Sequence, residues 1–314
     1  MKKKMLAVLL AGTMAASMTA CGGSSSSNTA ETTAAAQKSG DSAEKTEGAA
    51  PSKDASEFKI GLITDVGGVN DGSFNQSSWE GLERAGEELG VTVNYLESAT
   101  DADYAPNIET FIDEDYDLII SVGYMLADAT RAAAEANPDT RFAIIDDATI
   151  DLPNVTSLMF RAEQASYLVG YVAGLTTKTN NIGFVVGMSN ETMNQFGYGY
   201  CAGVLDANPD AKIQQFNANS FADAATGKTM ANTAITNGAD IVFQAAGATG
   251  LGVIEACQEA GVYAIGVDSD QSSIAPSTVL TSAMKRVDNA VYNAVEELMD
   301  GSLEGGVQSF DLAA

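Results

Sequence analysis

The chain has 314 residues, enough for about two domains of ordinary size. Its 16 Lys and Arg residues against 42 Asp and Glu residues give a net charge of −26. Such an acidic surface repels the phosphates of DNA and RNA, so we expect no nucleic-acid partner. The sequence has no histidine, which excludes Ser-His-Asp and Cys-His nucleophile systems and every histidine-ligated metal site.

The first residues have the form of a secretory signal. Three lysines at positions 2–4 precede a mostly apolar stretch, residues 5–18, that is too short to span a bilayer, and small residues then lead to Cys21. This arrangement resembles a bacterial lipoprotein signal, which implies that residues 1–20 are removed and that Cys21 is lipidated. The other interpretation is an ordinary signal peptide cut near Ala20. Removing residues 1–20 takes away three positive charges and leaves −29.

The segment after Cys21 predicts a tether. Residues 21–56 are rich in Ser, Thr, Ala and Gly and contain hardly any large apolar side chain. Such a stretch cannot bury enough apolar surface to offset its ordering entropy, so we expect a flexible link to a membrane. The two remaining cysteines, Cys201 and Cys257, allow one disulfide, but we expect buried free thiols.

From Phe58 onward, short apolar runs alternate with amphipathic stretches. The first series predicts strands over 58–63, 91–96, 118–122 and 142–145 and helices over 77–89, 104–112 and 127–136. The second series predicts strands over 181–186, 213–216, 241–243 and 262–267 and helices over 164–175, 196–205, 222–236, 251–260 and 287–299. Residues 154–159 are interpreted as the crossing between the series. This rhythm is typical of two α/β units, each with a parallel sheet covered on both faces.

Ligands of open parallel sheets bind beyond the carboxyl ends of the strands. Polar or small residues follow most of the predicted strands, among them Asp65, Asp146, Gly247 and Asp268. Two facing units with polar strand ends therefore predict a ligand in the cleft between them.

The loop from Asp65 to Asn75 is the most informative segment. It contains three glycines and several side-chain oxygens, but neither the Rossmann glycine spacing nor the Lys-Ser/Thr ending of a phosphate-binding loop. Two roles stay open for it: a ligand contact, or a cap in which Asp71 or Ser73 begins the next helix. Phe74 is apolar inside this polar loop, and its alternative role is a hydrophobic staple onto that helix.

Segments spread over residues 58 to about 300 together resemble the basic membrane protein family, the lipoprotein substrate-binding components of ABC transporters that include purine-nucleoside receptors. The matching segments are 61–65, 71–75, 79–81, 142–146, 167–170, 173–174, 183–188, 202–204, 245–250, 265–268, 270–271 and scattered positions from 281 to 290, together with Phe196.

The resemblance implies a type I periplasmic-binding-protein fold, with two doubly wound parallel-sheet domains and a ligand cleft between them. Residues 57–160, completed by about 284–314, are expected to form the first domain, and residues 161–283 the second. Members of the family typically continue beyond the last predicted helix with another strand and a closing segment, whereas here only residues 301–314 follow.

The resemblance also implies the ligand contacts. Phe74 and Phe196 match two aromatics that sandwich a nucleobase, and Asp146 matches a carboxylate that faces the base edge. Without the family, Phe196 is interpreted as core packing and a strand-end aspartate as a loop cap.

The remaining implied contacts concern the sugar and the cleft floor. Asp268 matches the residue that holds ribose hydroxyls, and Lys285 lies close to it. Asp65 and Asn75 match further polar contacts, and Gly247 allows close backbone approach. The alternative interpretation of Lys285 is a solvated surface charge.

Together these features predict a monomeric receptor, lipid-anchored on the extracytoplasmic face of the cell membrane, that delivers a nucleoside, most often a purine, to an ABC permease and its ATPase. We expect no cofactor, no metal and no catalytic residue. The alternatives are a receptor for a sugar or autoinducer-like solute, a nucleoside-hydrolysing enzyme that uses the aspartates, and a surface adhesin or signalling receptor.

Overall fold

A computed structural model of the chain describes residues 53–312. The predicted signal peptide, Cys21 and the tether up to residue 52 lie outside the described residues. Residues 53–56, the end of the predicted tether, contact the folded part, because the ammonium of Lys53 lies 2.5 Å from the carboxylate of Asp117.

Eleven strands are described in residues 53–312, and they form two sheets. The strands are β1 (Lys59–Ile63), β2 (Thr92–Leu96), β3 (Leu118–Ser121), β4 (Arg141–Ile145), β5 (Val155–Phe160), β6 (Asn181–Val186), β7 (Lys212–Asn217), β8 (Ile241–Ala245), β9 (Tyr263–Asp268), β10 (Val279–Met284) and β11 (Gly306–Phe310). The first sheet has the order β11-β5-β4-β3-β1-β2 and the second the order β10-β9-β8-β6-β7. Every pairing is parallel, as near-continuous apolar strands predict.

Helices cover both faces of each sheet. They are α1 (Phe74–Leu89), α2 (Tyr104–Asp113), α3 (Ala127–Ala136), α4 (Ala162–Thr176), α5 (Glu191–Ala207), α6 (Ala224–Thr236), α7 (Ala248–Ala260) and α8 (Val287–Asp300). In the first sheet, α1 and α8 share one core layer and α2 and α3 the other. In the second sheet, α4 and α5 share one layer and α6 and α7 the other.

The sequence did not predict three of the described strands, β5, β10 and β11. Residues 154–159 do not form a crossing, because β5 is a central strand of the first sheet between β4 and β11. Its core-facing run includes the buried residues Thr156 and Ser157, and Thr156 donates a hydrogen bond to the carbonyl of Glu304 at 2.8 Å. Polar residues inside a strand interrupt its apolar run, so the strand is hard to recognise from hydrophobicity alone.

The strands β10 and β11 lie at sheet edges and were not predicted. β11 is half-exposed and pairs with β5, from Gly306 opposite Thr156 to Phe310 opposite Phe160. The chain therefore returns to the first sheet after α8, which itself packs against α1.

The helices of three pairs approach each other through glycines, and in one of them, α6 and α7, a Cβ on Gly227 or Gly252 would meet the backbone of the other helix. A Cβ atom on Gly81 of α1 would collide with the backbone of Asp288 in α8. In the second sheet, a Cβ on Gly199 or Gly203 of α5 would meet the backbone of α4, and one on Gly170 would meet the backbone of α5. These contacts hold α4 and α5 almost backbone to backbone.

Neither of the described cysteines forms a disulfide. Cys257 is buried in α7, and Cys201 is half-buried in α5. Burial raises the pKa of the Cys257 thiol to about 12, so the thiol stays protonated at neutral pH. Within residues 53–312, no helix has both the length and the apolar character needed to cross a bilayer.

Candidate functional site

A cavity lies where the carboxyl ends of strands from both sheets face each other. The empty space in it amounts to about 540 Å³, part of it open to solvent. All eight residues that the sequence singles out for ligand contact line this one cavity: Asp65, Phe74, Asn75, Asp146, Phe196, Gly247, Asp268 and Lys285.

The loop after β1 is held by a buried carboxylate and amide network. The Asn75 side-chain amide donates to Asp65 at 2.7 Å and to Asp71 at 3.0 Å. Asp71 also accepts hydrogen bonds from the backbone N–H groups of Asn75 and Gln76, so its carboxylate caps α1. The capping role considered for this loop thus belongs to Asp71, and Asp65, Asp71 and Asn75 all line the cavity.

Phe74 lies at the first position of α1, not in the preceding loop as the sequence suggested. The Asp71 cap begins the helix three residues earlier than predicted, and this places the phenyl ring at the cavity wall. Phe196 lies in α5 and is buried, with 2% of its surface exposed. It belongs to the core of the second half and also lines the cavity, so the packing and the site interpretations both describe its position.

Lys285 is a buried charge rather than a solvated one, with 5% of its surface exposed. It follows β10, and its ammonium donates to the carboxylate of Asp146. The Nζ atom lies 4.5 Å from the ring centroid of Phe74 and 5.9 Å from that of Phe196. A third ring, that of Phe160, has its centroid 5.0 Å away. Cation–π attraction and the ion pair together hold the ammonium beside both phenylalanines.

Asp146 and Asp268 occupy corresponding positions in the two sheets. Asp146 directly follows β4 and Asp268 ends β9, and each has a left-handed backbone, with φ of 64° and 65°. Aspartate adopts this conformation more readily than most residues, and at strand ends it turns the side chain into the cleft. Asp268 accepts a hydrogen bond from the hydroxyl of Ser73 at 2.5 Å, which connects the second sheet's strand end to the loop before α1.

The cavity carries more carboxylates than its cation can balance. Among the described residues that line it, four are aspartates and Lys285 is the one that is positively charged. Burial raises the pKa of Asp65 to about 6 and that of Asp268 to about 6, because an ionised carboxylate loses hydration there. The site is therefore rich in hydrogen-bond acceptors and unfavourable for an anionic ligand.

Ten further residues line the cavity beyond the eight predicted, among them Asp71, Tyr124, Met193 and Phe221. Tyr124 follows β3, so the rule that ligands lie beyond strand ends already pointed to it. Phe221 lies in the longer connection after β7, where no sequence signal marks it. The Tyr124 and Phe221 rings meet edge to face across the cleft, with centroids 6.4 Å apart.

Direct hydrogen bonds also join the two halves at this edge. The Gln271 side-chain amide donates to the carbonyl of Gly72 at 2.8 Å, beside the bond between Ser73 and Asp268. Within residues 53–312, no group of three or more His, Cys, Asp or Glu side chains is close enough to hold a metal ion.

Comparison with solved structures defines the class of protein. The chain superposes on a solute-binding protein of an ABC transporter system from Aeropyrum pernix K1 with a TM-score of 0.77 and 31% identity, over 81% of this chain and 74% of that one. The fold class expected from the sequence, an α/β fold with two parallel-sheet domains of the periplasmic-binding-protein kind, is confirmed.

The family follows from sequence comparison. Residues 58–313 match the family model Bmp, described as "ABC transporter substrate-binding protein PnrA-like", and the chain belongs to this family. It is 39% identical over 331 aligned positions to the CD4+ T-cell-stimulating antigen of Listeria innocua, covering 98% of this chain and 87% of the relative. It is 37% identical to the ABC transporter nucleoside-binding protein BmpA of Lactococcus lactis, over 80% of this chain and 77% of the relative. The resemblance to the basic membrane protein family is thereby confirmed.

The raised pKa of Asp268 predicts how stability varies with pH. Because the folded protein binds this proton more tightly than the unfolded chain, the stabilisation from protonation is present below pH 4 and is lost as the pH rises through about 6. Between pH 4 and 7 the free energy of unfolding of the wild type should fall relative to that of Asp268→Asn by on the order of 2 kcal/mol.

Urea denaturation at several pH values measures this difference. The control is Asp270→Asn, which alters an exposed aspartate whose pKa is lowered by bonds to Ser272 and should keep the wild-type fall. If the free energy of unfolding changes with pH in the same way in the wild type and in Asp268→Asn, the prediction is wrong.

Proposed function

We propose that this protein captures a nucleoside, with purines favoured, in the cavity between its two sheets and delivers it to an ABC permease and ATPase without chemical change. The observation that carries the proposal is the pairing of two phenylalanine rings with buried carboxylates from both sheets in one cavity. Flat apolar faces and clustered acceptors match a ligand that is aromatic and rich in N–H and O–H donors. A nucleoside has both properties and no charge.

The base is assigned to Phe74 and Phe196. Stacking of a base on an aromatic side chain contributes about 1–3 kcal/mol in nucleic-acid proteins, and a purine offers the larger face. Asp146, beside both rings, would accept hydrogen bonds from the base edge. Because Asp146 forms an ion pair with Lys285, its negative charge is compensated, and a neutral ligand can bind beside it.

The sugar is assigned to Asp268. One of its carboxylate oxygens accepts from Ser73, so the other oxygen and the remaining lone pair of the first are left for ribose hydroxyls. Asp65, Asn75 and the backbone at Gly247 complete the polar contacts in this assignment.

The name of one relative supports a nucleoside as the ligand. The Lactococcus lactis protein is named as nucleoside-binding, and the match covers most of both chains. We extend this ligand class to the present chain because the cavity supplies matching chemistry.

Domain closure accompanies capture in this proposal. The domains are residues 57–160 with 284–314, and residues 161–283, and the chain crosses between them near Arg161 and Lys285. A ligand that touches Phe74 from one domain and Phe196 from the other stabilises the closed arrangement. One chain supplies all eight contacts, so a monomer is the capturing unit.

The anchor is assigned to Cys21. The apolar stretch before it and the tether after it support a receptor on the extracytoplasmic face of the membrane, within reach of a permease. A charge of −29 on the processed chain suits a soluble receptor domain held at a distance from an anionic leaflet.

Truncating either phenylalanine should weaken binding. Phe74→Ala and Phe196→Ala each remove one stacking face, and a loss of about 1–3 kcal/mol corresponds to about five- to over a hundred-fold in Kd. Isothermal titration with guanosine measures the loss, and Phe58→Ala, which alters a half-buried ring outside the cavity, serves as the control. Wild-type affinity in both cavity variants would contradict the base assignment.

Ribose recognition should depend on Asp268. A deoxyribose leaves buried acceptor capacity unpaired, which costs about 1–3 kcal/mol, so guanosine should bind more tightly than 2′-deoxyguanosine and guanine should bind poorly. Asp268→Ala should remove most of the ribose preference while base preference persists. Ser73→Ala, which frees the shared oxygen, should keep the preference.

Competition binding of the three compounds to each variant measures these preferences. If Asp268 serves the fold alone, Asp268→Ala lowers stability and leaves the ratio of ribose to deoxyribose affinity unchanged.

Replacing Cys21 should release the protein from the membrane. Cys21→Ala has no thiol to carry a lipid, so it should be secreted in soluble form or remain unprocessed, whereas Cys201→Ala should fractionate like the wild type. Fractionation and intact-protein mass spectrometry measure both outcomes. Mature-length Cys21→Ala in the membrane fraction would disprove the anchor.

A further inference from the structure

Most of the exposed large apolar side chains of residues 53–312 lie on one helix pair. Of eleven such residues, six belong to α4 and α5, with exposed fractions from 38% to 72%. We call these six the α4–α5 face: Leu168, Tyr171, Val172, Leu175, Tyr198 and Leu205. The four on α4 follow the spacing i, i+3, i+4, i+7, which is the spacing of a stripe that normally faces a core.

The close packing of α4 on α5 explains why these side chains point outward. The buried positions of α4 are mainly small, namely Ala162, Ser166, Gly170, Ala173 and Gly174, and at Gly170 and Gly174 the two backbones meet. The large residues of α4 are therefore left on the side away from the sheet. An apolar stripe on the solvent side of a helix indicates a surface that another body covers.

The first sheet provides an internal control. Its close helix pair, α1 and α8, also meets through a glycine, Gly81, yet its outer surface is charged. The exposed residues of α1 are the four glutamates Glu80, Glu83, Glu87 and Glu88. The fold therefore does not require an apolar outer surface on such a pair, and the α4–α5 face needs its own explanation.

The charges near the α4–α5 face indicate which kind of partner can cover it. The six residues of the α4–α5 face are uncharged, and the two helices carry three acidic side chains, Glu163, Glu191 and Asp206, in a chain of net charge −26. Two copies of so acidic a chain repel each other over most of their surfaces, so a contact between copies needs a region with few carboxylates. An anionic bilayer would instead require a cluster of basic residues, and residues 164–205 contain only Lys178.

We infer that the α4–α5 face is the contact between two copies of this chain, related by a two-fold axis. Its spacing is the same in both chain directions, so an antiparallel copy of α4 presents Leu175 to Leu168 and Val172 to Tyr171, as an isologous contact demands. This inference does not depend on the ligand, since the face lies outside the cavity.

The size of the face sets the strength of the contact. Helices of 15 and 17 residues are about 22–25 Å long, and two side by side are about 20 Å wide. The buried area is then about 500 Å² per copy, below the approximately 800 Å² per partner of a standard interface. The dimer is therefore weak, and it forms where copies are concentrated, for example on a membrane, while dilute protein is monomeric as the sequence suggested.

Sedimentation equilibrium tests the proposal, with the full chain carrying Cys21→Ala and protein from micromolar to millimolar concentration. The weight-average mass should rise towards twice the monomer mass. Leu175→Glu and Tyr198→Glu should each weaken the dimer at least tenfold, because every dimer then buries two carboxylates. The matched control is Val307→Glu on β11, a residue with a similar exposed fraction of 62%, and it should dimerise like the wild type.

The thiol of Cys201 reports which surface is covered. It lies between Tyr198 and Leu205 on α5 and is half-buried, so its alkylation rate should fall as wild-type concentration rises, and this effect should vanish in Leu175→Glu. Circular dichroism checks that each variant is folded, and Leu175→Ser replaces any glutamate variant that is not.

Three results would overturn the proposal. One is a monomer throughout the concentration range, and another is a dimer that survives both Leu175→Glu and Tyr198→Glu. The third is protection of Cys201 by vesicles of anionic phospholipid but not by added protein, which would assign the face to the membrane.

Discussion

The cavity depends on the interactions of one buried group, the ammonium of Lys285. It lies at the point where the chain passes from β10 to α8, paired with Asp146 and beside the rings of Phe74 and Phe196. Removing one partner of a buried ion pair leaves an uncompensated charge, which is strongly destabilising. Four aspartates can face one cavity because this cation and several hydrogen bonds compensate them in part. The ion pair between Lys285 and Asp146 also joins the end of a strand of the second sheet to the end of a strand of the first. The same contact therefore sets both the geometry and the electrostatics of the cleft.

The fold places these groups through two repeated devices. Each sheet has an aspartate with a left-handed backbone at or directly after the end of a central strand, and each carries a helix pair packed through glycine. Parallel strands bring their carboxyl ends to one edge, so two such sheets face each other with polar groups. The helix pairs differ in their outer surfaces, with acidic residues on the first and apolar residues on the second. The same arrangement of helices thus presents a solvated acidic surface on the first sheet and an apolar contact surface on the second.

Much of this arrangement could be predicted from the sequence because its signals are local. Continuous apolar runs gave the central strands, and the strand-end rule led to Asp146 and Asp268. Phe74 and Phe196 needed the family resemblance, since a lone aromatic residue in a helix or loop carries no mark of a cleft. The edge strand β11 was not recognised because none of its residues is buried, and β5 because buried Thr156 and Ser157 interrupt its apolar pattern. Phe221 could not be found, because only tertiary folding brings its loop to Tyr124.

The central claim is that the cavity selects a nucleoside. Native mass spectrometry of the protein mixed with equal concentrations of guanosine, adenosine, uridine, guanine, ribose and glucose tests it most directly. We expect one bound molecule per chain, with the purine nucleosides as the most abundant adducts and loss of those adducts in Phe196→Ala. A dominant sugar adduct, or a nucleoside adduct that is as abundant in Phe196→Ala as in the wild type, would contradict it.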